Sequence, residues 1–325
     1  MERFPYEKAA LEEVPCNLCG SRDSETLSRR GQDGLPLRAV ICRYCGLIFI
    51  NPRMTKEWYD LYYQHEYRTK TIGIGAAARP PNNDRLFGLM ETHGRELAVL
   101  LKPYFQNSGA LIVEVGSSLG GVLAGLKREL GVEVIGIEPS APEAEYAARR
   151  GIKTYCSLIE DIDGKAPGFP PVGAVVCTQS LNHFLDPRFF FEWAYRRLAG
   201  DGLLVLEVMN FRHQLKRAGC FRNAVKIDHP HMFVPEVLKA VVKRAGFETV
   251  FFSADETKRE SELRNLRRAL PTVHMTLVAR KTSGQPLAAP MENNYRRVRR
   301  SVNPFMIYFS YLFSVRLPKF LKSGR

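Results

Sequence analysis

The clearest pattern in the chain begins at Ala110, where an apolar run of β-type residues meets a Gly- and Ser-rich turn and then a segment with helical periodicity. A second apolar run covers Val132–Ile137 and ends in Glu138. A strand, a turn, a helix and a second strand in this order predict a parallel βαβ unit, the building block of α/β folds.

Two features of this unit predict a nucleotide site. Gly116 and Gly120 allow a sharp exit from the strand and a close approach to the backbone, and Glu138 follows Gly116 by 22 residues. That distance is typical of an acid that accepts hydrogen bonds from ribose hydroxyls. A dinucleotide and S-adenosylmethionine both suit such a unit. Because Glu114 would repel a pyrophosphate but suits a ligand with an amino group and a sulfonium, the sequence favours S-adenosylmethionine.

The turn resembles the D/E-x-G-x-G-x-G motif of the class I adenosylmethionine-dependent methyltransferases. Glu114, Gly116 and Gly120 match the motif, and Ser118 replaces its middle glycine. The resemblance implies that the backbone from Gly116 to Gly120 lies along the methionine moiety. It also implies that Glu138 holds the ribose hydroxyls of the cofactor.

Later segments follow the order of that family. The fourth strand is predicted at Val172–Thr178, and Gln179 begins the loop after it, where we expect a cofactor contact. The other predicted elements are a helix at 186–198 and strands at 203–208, 249–253 and 273–279. The expected fold is α/β, a seven-stranded Rossmann-like methyltransferase sheet with helices on both faces and a small N-terminal zinc ribbon.

The zinc prediction rests on four cysteines before residue 50. They form two C-x-x-C pairs separated by 22 residues, at Cys16, Cys19, Cys42 and Cys45. This spacing is typical of a zinc ribbon, and four thiolates would fill a tetrahedral shell and leave no open position for catalysis. The predicted zinc is therefore structural. Two disulfides or a redox C-x-x-C are the alternatives.

A zinc ribbon joined to a methyltransferase domain resembles the branch that includes deoxysugar C-methyltransferases. Its loop after the fourth strand usually reads L-E-H-x-x-D-P, and residues 181–187 keep His183 but carry Asn182 in place of the acid. The resemblance points to His183 and His231 as catalytic proton carriers. Asp228, close to His231 in the sequence, is a candidate for orienting either ring. A histidine suits this task because its pKa lies near the working pH. A purely structural role is the alternative for each.

A length of 325 residues with 45% hydrophobic and 25% charged residues predicts a folded protein of two domains, with one large domain and an appendage as the alternative. We predict the zinc ribbon at 1–55, the methyltransferase domain at 86–282 and a basic, aromatic tail at 283–325. The segment 56–85 is rich in aromatic residues and forms either a lid over the acceptor or a linker helix packed on the core.

The formal charge of +13 is concentrated in the tail, because residues 280–325 carry +9 and the rest of the chain only +4. The apolar run at 305–315 has 11 residues, against about 20 needed to span a bilayer. Basic residues on both sides of it predict peripheral contact with an anionic membrane, with docking on the enzyme or a partner as the alternative. Residues 1–15 contain no secretory signal, so we expect a cytoplasmic protein, peripheral at the membrane surface if the tail binds there.

These observations favour methyl transfer from S-adenosylmethionine to a small molecule or glycan, with a sugar or lipid-linked saccharide as the expected acceptor. An RNA methyltransferase is one alternative, although the low net charge before the tail argues against a nucleic-acid partner. A non-catalytic scaffold that binds zinc and cofactor is the other. Ser118 and Asn182 depart from the family pattern and motivate this second alternative.

Overall fold

The computed structural model describes residues 4–65, 82–105, 110–165, 172–254, 274–283 and 290–312. Parts of the predicted linker (66–81) and of the predicted tail (284–289 and 313–325) lie outside the described residues, so the lid and the end of the tail stay predictions. Among the helices of the described residues, none combines the length and the apolar character needed to cross a bilayer.

The N-terminal region consists of short strands followed by one helix. The elements are β1 (Leu11–Glu12), β2 (Ser24–Ser28), β3 (Ala39–Cys42), β4 (Ile48–Ile50), β5 (Arg53–Met54) and α1 (Lys56–His65). Strands β2, β3 and β4 form an antiparallel sheet, and β1 pairs with β5. On α1, Tyr59 and Tyr62 are buried, so this part of the aromatic segment is packed on the core.

The rest of the chain alternates helices and strands. The elements are α2 (Asn83–Leu101), β6 (Leu111–Val115), α3 (Gly121–Leu130), β7 (Val134–Glu138), α4 (Ala141–Arg149), β8 (Thr154–Cys156), α5 (Ile162–Lys165), β9 (Val172–Thr178), α6 (Pro187–Arg197), β10 (Leu198–Met209), α7 (Phe211–Ala218), α8 (Phe221–Ala224), β11 (His231–Met232), α9 (Pro235–Arg244), β12 (Phe247–Ser253), β13 (His274–Lys281), α10 (Tyr295–Ser301) and α11 (Pro304–Tyr311).

Seven of these strands form one sheet in the order β12-β13-β10-β9-β6-β7-β8. Strand β13 runs antiparallel to both of its neighbours, and the pairs from β10 to β8 are parallel. The central strand β9 is buried along its whole length, as expected for a parallel strand covered on both faces. The predicted α/β fold, a seven-stranded Rossmann-like methyltransferase sheet, is confirmed.

The four-stranded N-terminal sheet takes one of its strands from the second half of the chain. Strand β11 pairs antiparallel with β4, with His231 opposite Phe49 and Met232 opposite Ile48. Apolar side chains of the N-terminal region, such as Leu18, belong to the same hydrophobic cluster as residues of the large sheet, such as Val113. The cysteine-rich region therefore has no separate core and packs directly on the large sheet.

The last two helices continue beyond the sheet. Helix α10 contacts the N-terminal region, where Tyr295 Oη donates a hydrogen bond to Glu25 and Arg299 Nε lies 2.8 Å from Glu25 Oε1. Val298 on the same helix is fully buried. Helix α11 packs against α7. The first part of the predicted tail is thus a helix docked on the rest of the chain.

The glycine loop leads into α3, and a close crossing of α2 and α3 fixes the position of this helix. A Cβ atom on Gly125 would lie 2.3 Å from the Glu91 carbonyl oxygen, and one on Gly94 would lie 2.2 Å from the Val122 carbonyl oxygen. Both clashes are with backbone, so a side-chain rotation cannot relieve them. Helix α3, which follows the glycine loop, is therefore held in place by direct contact between its backbone and that of α2.

We expect Gly125→Ala to destabilise the protein by about 1–3 kcal/mol, because the two helices must separate. Gly88→Ala on α2 is the matched control: a Cβ there meets nothing within 4 Å. The control should stabilise by about 0.5–1 kcal/mol through helix propensity. Urea unfolding of both variants measures the difference, and equal free energies of unfolding would contradict the close crossing.

Candidate active site and cysteine cluster

The acid at the end of the second parallel strand is fixed by two backbone amides. Ser118 N–H donates to Glu138 Oε2 and Ser140 N–H donates to Glu138 Oε1, both at 2.9 Å. A carboxylate oxygen has two lone pairs and can accept more than one hydrogen bond. A buried carboxylate oriented in this way is suited to two vicinal hydroxyls, so the geometry is compatible with the predicted ribose contact.

The glycine loop between these groups has an unusual backbone. Gly116, Ser118 and Gly120 have φ angles of 76°, 48° and 79°, in the left-handed region. Glycine adopts this region freely, whereas the Cβ of Ser118 makes it costly by about 1–2 kcal/mol. Ser118, which replaces the middle glycine of the motif, therefore keeps the loop conformation that a glycine would have, and its N–H is the one that binds Glu138.

Gly116 also allows two loops to meet. A Cβ on Gly116 would lie 2.3 Å from Ser180 Oγ, and that hydroxyl lies 3.2 Å from the Gly116 carbonyl oxygen and 3.1 Å from the Thr178 carbonyl oxygen. Ser180 therefore connects the loop after β6 to the loop after β9. Its neighbour Gln179 has a φ of 57° and donates its N–H to the Glu207 carbonyl at 2.6 Å. A cofactor contact of the Gln179 side chain stays a prediction.

Glu114, the acid of the motif, lies inside the protein. Its side chain is completely buried, and Thr178 Oγ1 donates to Glu114 Oε1 at 2.5 Å. Burial raises the pKa of Glu114 to about 8, although the Thr178 bond opposes the shift. Direct contact between Glu114 and a ligand stays a prediction, and the carboxyl group lies against β9 in this structure.

A second buried acid lies on the same face of the sheet. His93 Nε2 contacts Glu207 Oε2, and Thr276 Oγ1 donates to Glu207 Oε1 at 3.1 Å. These contacts connect α2, β10 and β13. The sequence alone does not reveal the pair of His93 and Glu207, because no motif connects two residues 114 positions apart.

His183 lies in the loop after β9, and its Nδ1 nitrogen is within hydrogen-bonding distance of two oxygen atoms. Its Nδ1 is 2.7 Å from the Asp228 carbonyl oxygen, so Nδ1 carries the proton and donates. Tyr63 Oη lies 3.1 Å from the same nitrogen and 3.3 Å from the Asp228 carbonyl oxygen. This tautomer leaves a lone pair on Nε2. Tyr63 belongs to the predicted aromatic segment, and its hydroxyl reaches the candidate site.

The structure brings His229 and Asp228 next to His183. The two imidazole rings are T-shaped with centroids 4.8 Å apart, and His229 Nε2 lies 3.8 Å from Asp228 Oδ2. Burial lowers the pKa of His229 to about 3, despite the nearby Asp228. Burial also lowers the pKa of His183. Both rings are therefore neutral at pH 7. Ligand atoms of the three residues lie within 4.8 Å of one another, a set that could also hold a divalent cation.

His231 occupies a different position. It lies in β11, is buried, and its Nδ1 is 2.9 Å from the Phe184 carbonyl oxygen. Burial lowers its pKa to about 4. The structure thus groups His183 with Asp228 and His229, and it places His231 in the ladder between β11 and β4. A catalytic role of His231 stays a prediction, and its contacts are those of a structural residue.

Asn182 stands where the related loop usually has an acid. The residue is buried beside His183, and its Oδ1 has no hydrogen-bond partner among the described residues. A buried amide oxygen without a partner costs about 1–3 kcal/mol. A hydroxyl or amine donor of a bound acceptor would remove that cost.

The four N-terminal cysteines form one cluster. All are free thiols, their sulfur atoms lie within 4.8 Å of one another, and three of them are buried. Each pair lies in a tight turn in which Gly20 N–H donates to the Cys16 carbonyl and Gly46 N–H to the Cys42 carbonyl, at 2.7 and 3.1 Å. Tyr44 N–H also donates to Cys42 Sγ at 3.4 Å. Four convergent sulfurs in two such turns are compatible with a tetrahedral metal site.

The cysteine turns contact the loop that carries His183. Asn17 Nδ2 donates to Asp186 Oδ1 at 2.9 Å, and Arg188 N–H donates to Asn17 Oδ1 at 3.0 Å. Arg53 Nη1 donates to the Leu185 carbonyl at 2.8 Å. The N-terminal region therefore holds the residues that follow His183.

Comparison with protein families finds a match over residues 89–250 to the family described as "Methyltransferase domain". This segment contains the glycine loop, Glu138 and the histidine loops, so the match covers the candidate site. The match supports S-adenosylmethionine-dependent methyl transfer as the class of reaction. A sequence comparison with curated proteins finds no match.

Several solved structures resemble part of the chain. A SAM-dependent methyltransferase from Archaeoglobus fulgidus is 19% identical, covers 61% of this chain and 99% of its own, and has a TM-score of 0.43. One from Mesorhizobium loti is 14% identical, with coverages of 57% and 96% and a TM-score of 0.45. The plantazolicin methyltransferase BpumL in complex with a monoazolic desmethylPZN analog and SAH is 16% identical, with coverages of 62% and 88% and a TM-score of 0.44. Likeness at this level does not identify an acceptor.

The raised pKa of Glu114 predicts a specific pH dependence of stability. Between the usual glutamate pKa of 4.5 and about 8, the native state keeps a proton that the unfolded chain releases. Stability therefore falls as pH rises through this window, by up to about 1.4 kcal/mol per pH unit. Glu114→Gln keeps the acceptor for Thr178 and cannot titrate. We therefore expect the free energy of unfolding of this variant, relative to that of the wild type, to increase from about pH 5 to about pH 8.

Urea unfolding at several pH values measures this effect. Glu145→Gln, at an exposed position on α4, is the matched control and should follow the wild-type curve. Parallel curves for wild type and Glu114→Gln would show that Glu114 ionises in the native state with an ordinary pKa.

Proposed function

We propose that the chain methylates a hydroxyl-bearing sugar or lipid-linked saccharide with S-adenosylmethionine as methyl donor, and that His183 accepts the proton of the acceptor. The observation that carries the proposal is the hydrogen bond from His183 Nδ1 to the Asp228 carbonyl, at 2.7 Å. It fixes the tautomer in which Nε2 is the basic nitrogen, beside the strand ends where α/β sheets bind ligands.

The residues around the glycine loop fit the donor. Glu138 offers a fixed carboxylate for the ribose hydroxyls, and the loop from Gly116 to Gly120 brings backbone groups close to the same strand ends. When bound there, S-adenosylmethionine would supply an electrophilic methyl group on a positively charged sulfur. The protein's task is then to align the acceptor oxygen and remove its proton.

Several polar groups near His183 suit an acceptor with hydroxyl groups. Asn182 Oδ1 lacks a donor among the described residues, and Tyr63 presents its ring and hydroxyl next to His183. Aromatic rings and amide groups together are typical of sugar sites. The neutral state of His183 at pH 7 is the form that accepts a proton.

We further propose that Cys16, Cys19, Cys42 and Cys45 hold one structural zinc ion. The convergence of four sulfurs within 4.8 Å supports a tetrahedral thiolate site. Zinc there would stabilise the turns that contact Asp186 through Asn17, and so the loop that carries His183. With four protein ligands, the ion would have no open position for the acceptor.

The activity test uses methyl-labelled S-adenosylmethionine with lipid-linked saccharides, nucleotide sugars and RNA from fractionated cell extract. We expect label in one of the two saccharide pools. His183→Gln should lower kcat by roughly 100-fold or more with unchanged cofactor affinity, because only proton transfer is lost. Glu138→Ala should instead weaken cofactor binding. Because burial lowers the pKa of His183, the wild-type rate should stay constant above about pH 6.5 and fall in acid.

Four results would contradict the proposal. Label in RNA would replace the glycan acceptor by a nucleic acid. Cofactor binding without any label would favour the scaffold. An unchanged rate in His183→Gln would show that another group is the base. Loss of the wild-type rate with a chelator, while the four cysteines keep their zinc, would instead point to a cation bound by His183, Asp228 and His229.

For the zinc site we expect one equivalent of zinc in the purified protein. Cys45→Ser should lose most of it and lower the thermal midpoint, because the N-terminal region has no core of its own. Cys220→Ser, at an exposed thiol outside the cluster, is the matched control and should keep the metal. Metal analysis and thermal unfolding measure both effects. A structural zinc would be contradicted if metal-free wild-type protein had the same thermal midpoint as protein to which zinc had been added.

A further inference from the structure

Helix α11 is apolar around most of its circumference. Its sequence PFMIYFSY contains no charge, and Ile307 is buried. The exposed fractions of Phe305, Met306, Tyr308 and Phe309 are 66, 63, 49 and 42%. A helix that is hydrophobic on all sides normally lies in a protein core or in a membrane. Four large apolar side chains exposed together on eight residues therefore indicate a surface that binds an apolar partner.

The position of this helix is fixed by its neighbours. Asn303 Oδ1 accepts the Phe305 N–H at 2.9 Å and begins the helix, and Ile307 packs inward. The preceding helix α10 is held to the N-terminal region through Glu25. The exposed aromatic side chains are thus presented by a docked helix.

Positive charge lies on the helix that precedes this apolar face. Arg296, Arg297 and Arg300 are exposed on α10, and Arg297 also lies 3.2 Å from Glu236. In the sequence after α11, the charged residues are four cations, at positions 316, 319, 322 and 325. A basic residue near an anionic bilayer contributes about 1 kcal/mol to binding. Charge of one sign beside the apolar face therefore favours an anionic lipid surface over an uncharged apolar partner.

The location of the face relates it to the candidate site. Helix α11 packs against α7, which begins directly after β10 at the end of the sheet where the cofactor and histidine loops lie. A bilayer in contact with α11 would therefore lie beside the edge of the domain that binds the acceptor.

We propose that α11 inserts its aromatic face into the headgroup region of an anionic phospholipid bilayer and that the arginines of α10 bind the lipid phosphates. The structure thereby assigns the acceptor to the lipid-linked class, a step that rests on the proposed glycan methylation. The binding surface itself is independent of that activity. Apolar area and basic charge acting together are the two signals that stable peripheral attachment requires.

The test measures cosedimentation of the full-length protein with vesicles of phosphatidylcholine alone and of phosphatidylcholine mixed with phosphatidylglycerol. We expect binding to the mixed vesicles that is roughly tenfold or more stronger than to the neutral ones and that weakens with salt. A triple variant with Phe305→Ser, Met306→Ser and Phe309→Ser should lose roughly tenfold or more in partitioning.

Two further variants make the result specific. Replacement of Arg296, Arg297 and Arg300 by Gln should remove the preference for anionic lipid. Val99→Ser changes an apolar side chain of α2 that is 61% exposed, and it should leave vesicle binding unchanged. Because all of these positions are exposed, the variants should keep the wild-type thermal midpoint.

Equal binding of wild type and the aromatic triple variant would overturn the proposal, as would a wild-type protein that stays in solution. Loss of self-association in that variant, without a change in vesicle binding, would show that α11 binds a second copy of the chain instead. Vesicle binding is measured without cofactor or acceptor, so its failure is distinguishable from a failure of the proposed methyl transfer.

Discussion

Two residues of the second half of the chain, His231 and Met232, pair with Phe49 and Ile48 of the N-terminal sheet, and much of the candidate site is arranged around this short ladder. The Ile50 N–H extends it by donating to the Pro230 carbonyl at 2.9 Å. Backbone hydrogen bonds on both sides of Pro230 restrict the whole segment. Asp228 and His229 lie directly before Pro230. Because the ladder fixes the position of this segment, both residues lie next to His183.

The other side of the site is held by the same N-terminal region. Asn17 binds Asp186 and Arg53 binds the Leu185 carbonyl, so the loop with His183 is attached at its far end. Loops built on rigid elements keep functional groups in place more accurately than free loops. A cysteine-rich region that is too small for its own core thus gains stability from the large sheet and in turn positions both histidine loops.

Local patterns in the sequence predicted the parts of the molecule that depend on local physics. The fourth strand was predicted at Val172–Thr178 and lies at those residues, and the helix predicted at 186–198 is found at Pro187–Arg197 with Asp186 as its N-cap. Apolar continuity and capping side chains specify such elements without reference to distant residues. The convergence of the four cysteines also follows from their spacing.

Contacts between distant segments could not be predicted in this way. Strand β11 has two residues, too few to show any periodicity, and its partner β4 lies about 180 positions earlier in the chain. The sequence therefore could not show that His229, and not His231, lies next to His183. The hydroxyl of Tyr63 likewise reaches His183 only through tertiary packing, across 120 positions.

The buried acids behind the glycine loop show the same dependence on long-range contacts and explain why polar groups occupy an apolar layer. Glu114 on β6 accepts a hydrogen bond from Thr178 on β9. Glu207 on β10 accepts one from Thr276 on β13 and contacts His93 on α2. Apolar side chains of similar size would give a more stable sheet, because burying an acid is costly. Dispersion contacts, however, tolerate small shifts of one strand along the next, whereas hydrogen bonds depend on distance and angle. These hydrogen bonds fix neighbouring strand ends at the edge where the cofactor and histidine loops begin. At this edge they specify one geometry for the loops, at the expense of some stability of the sheet.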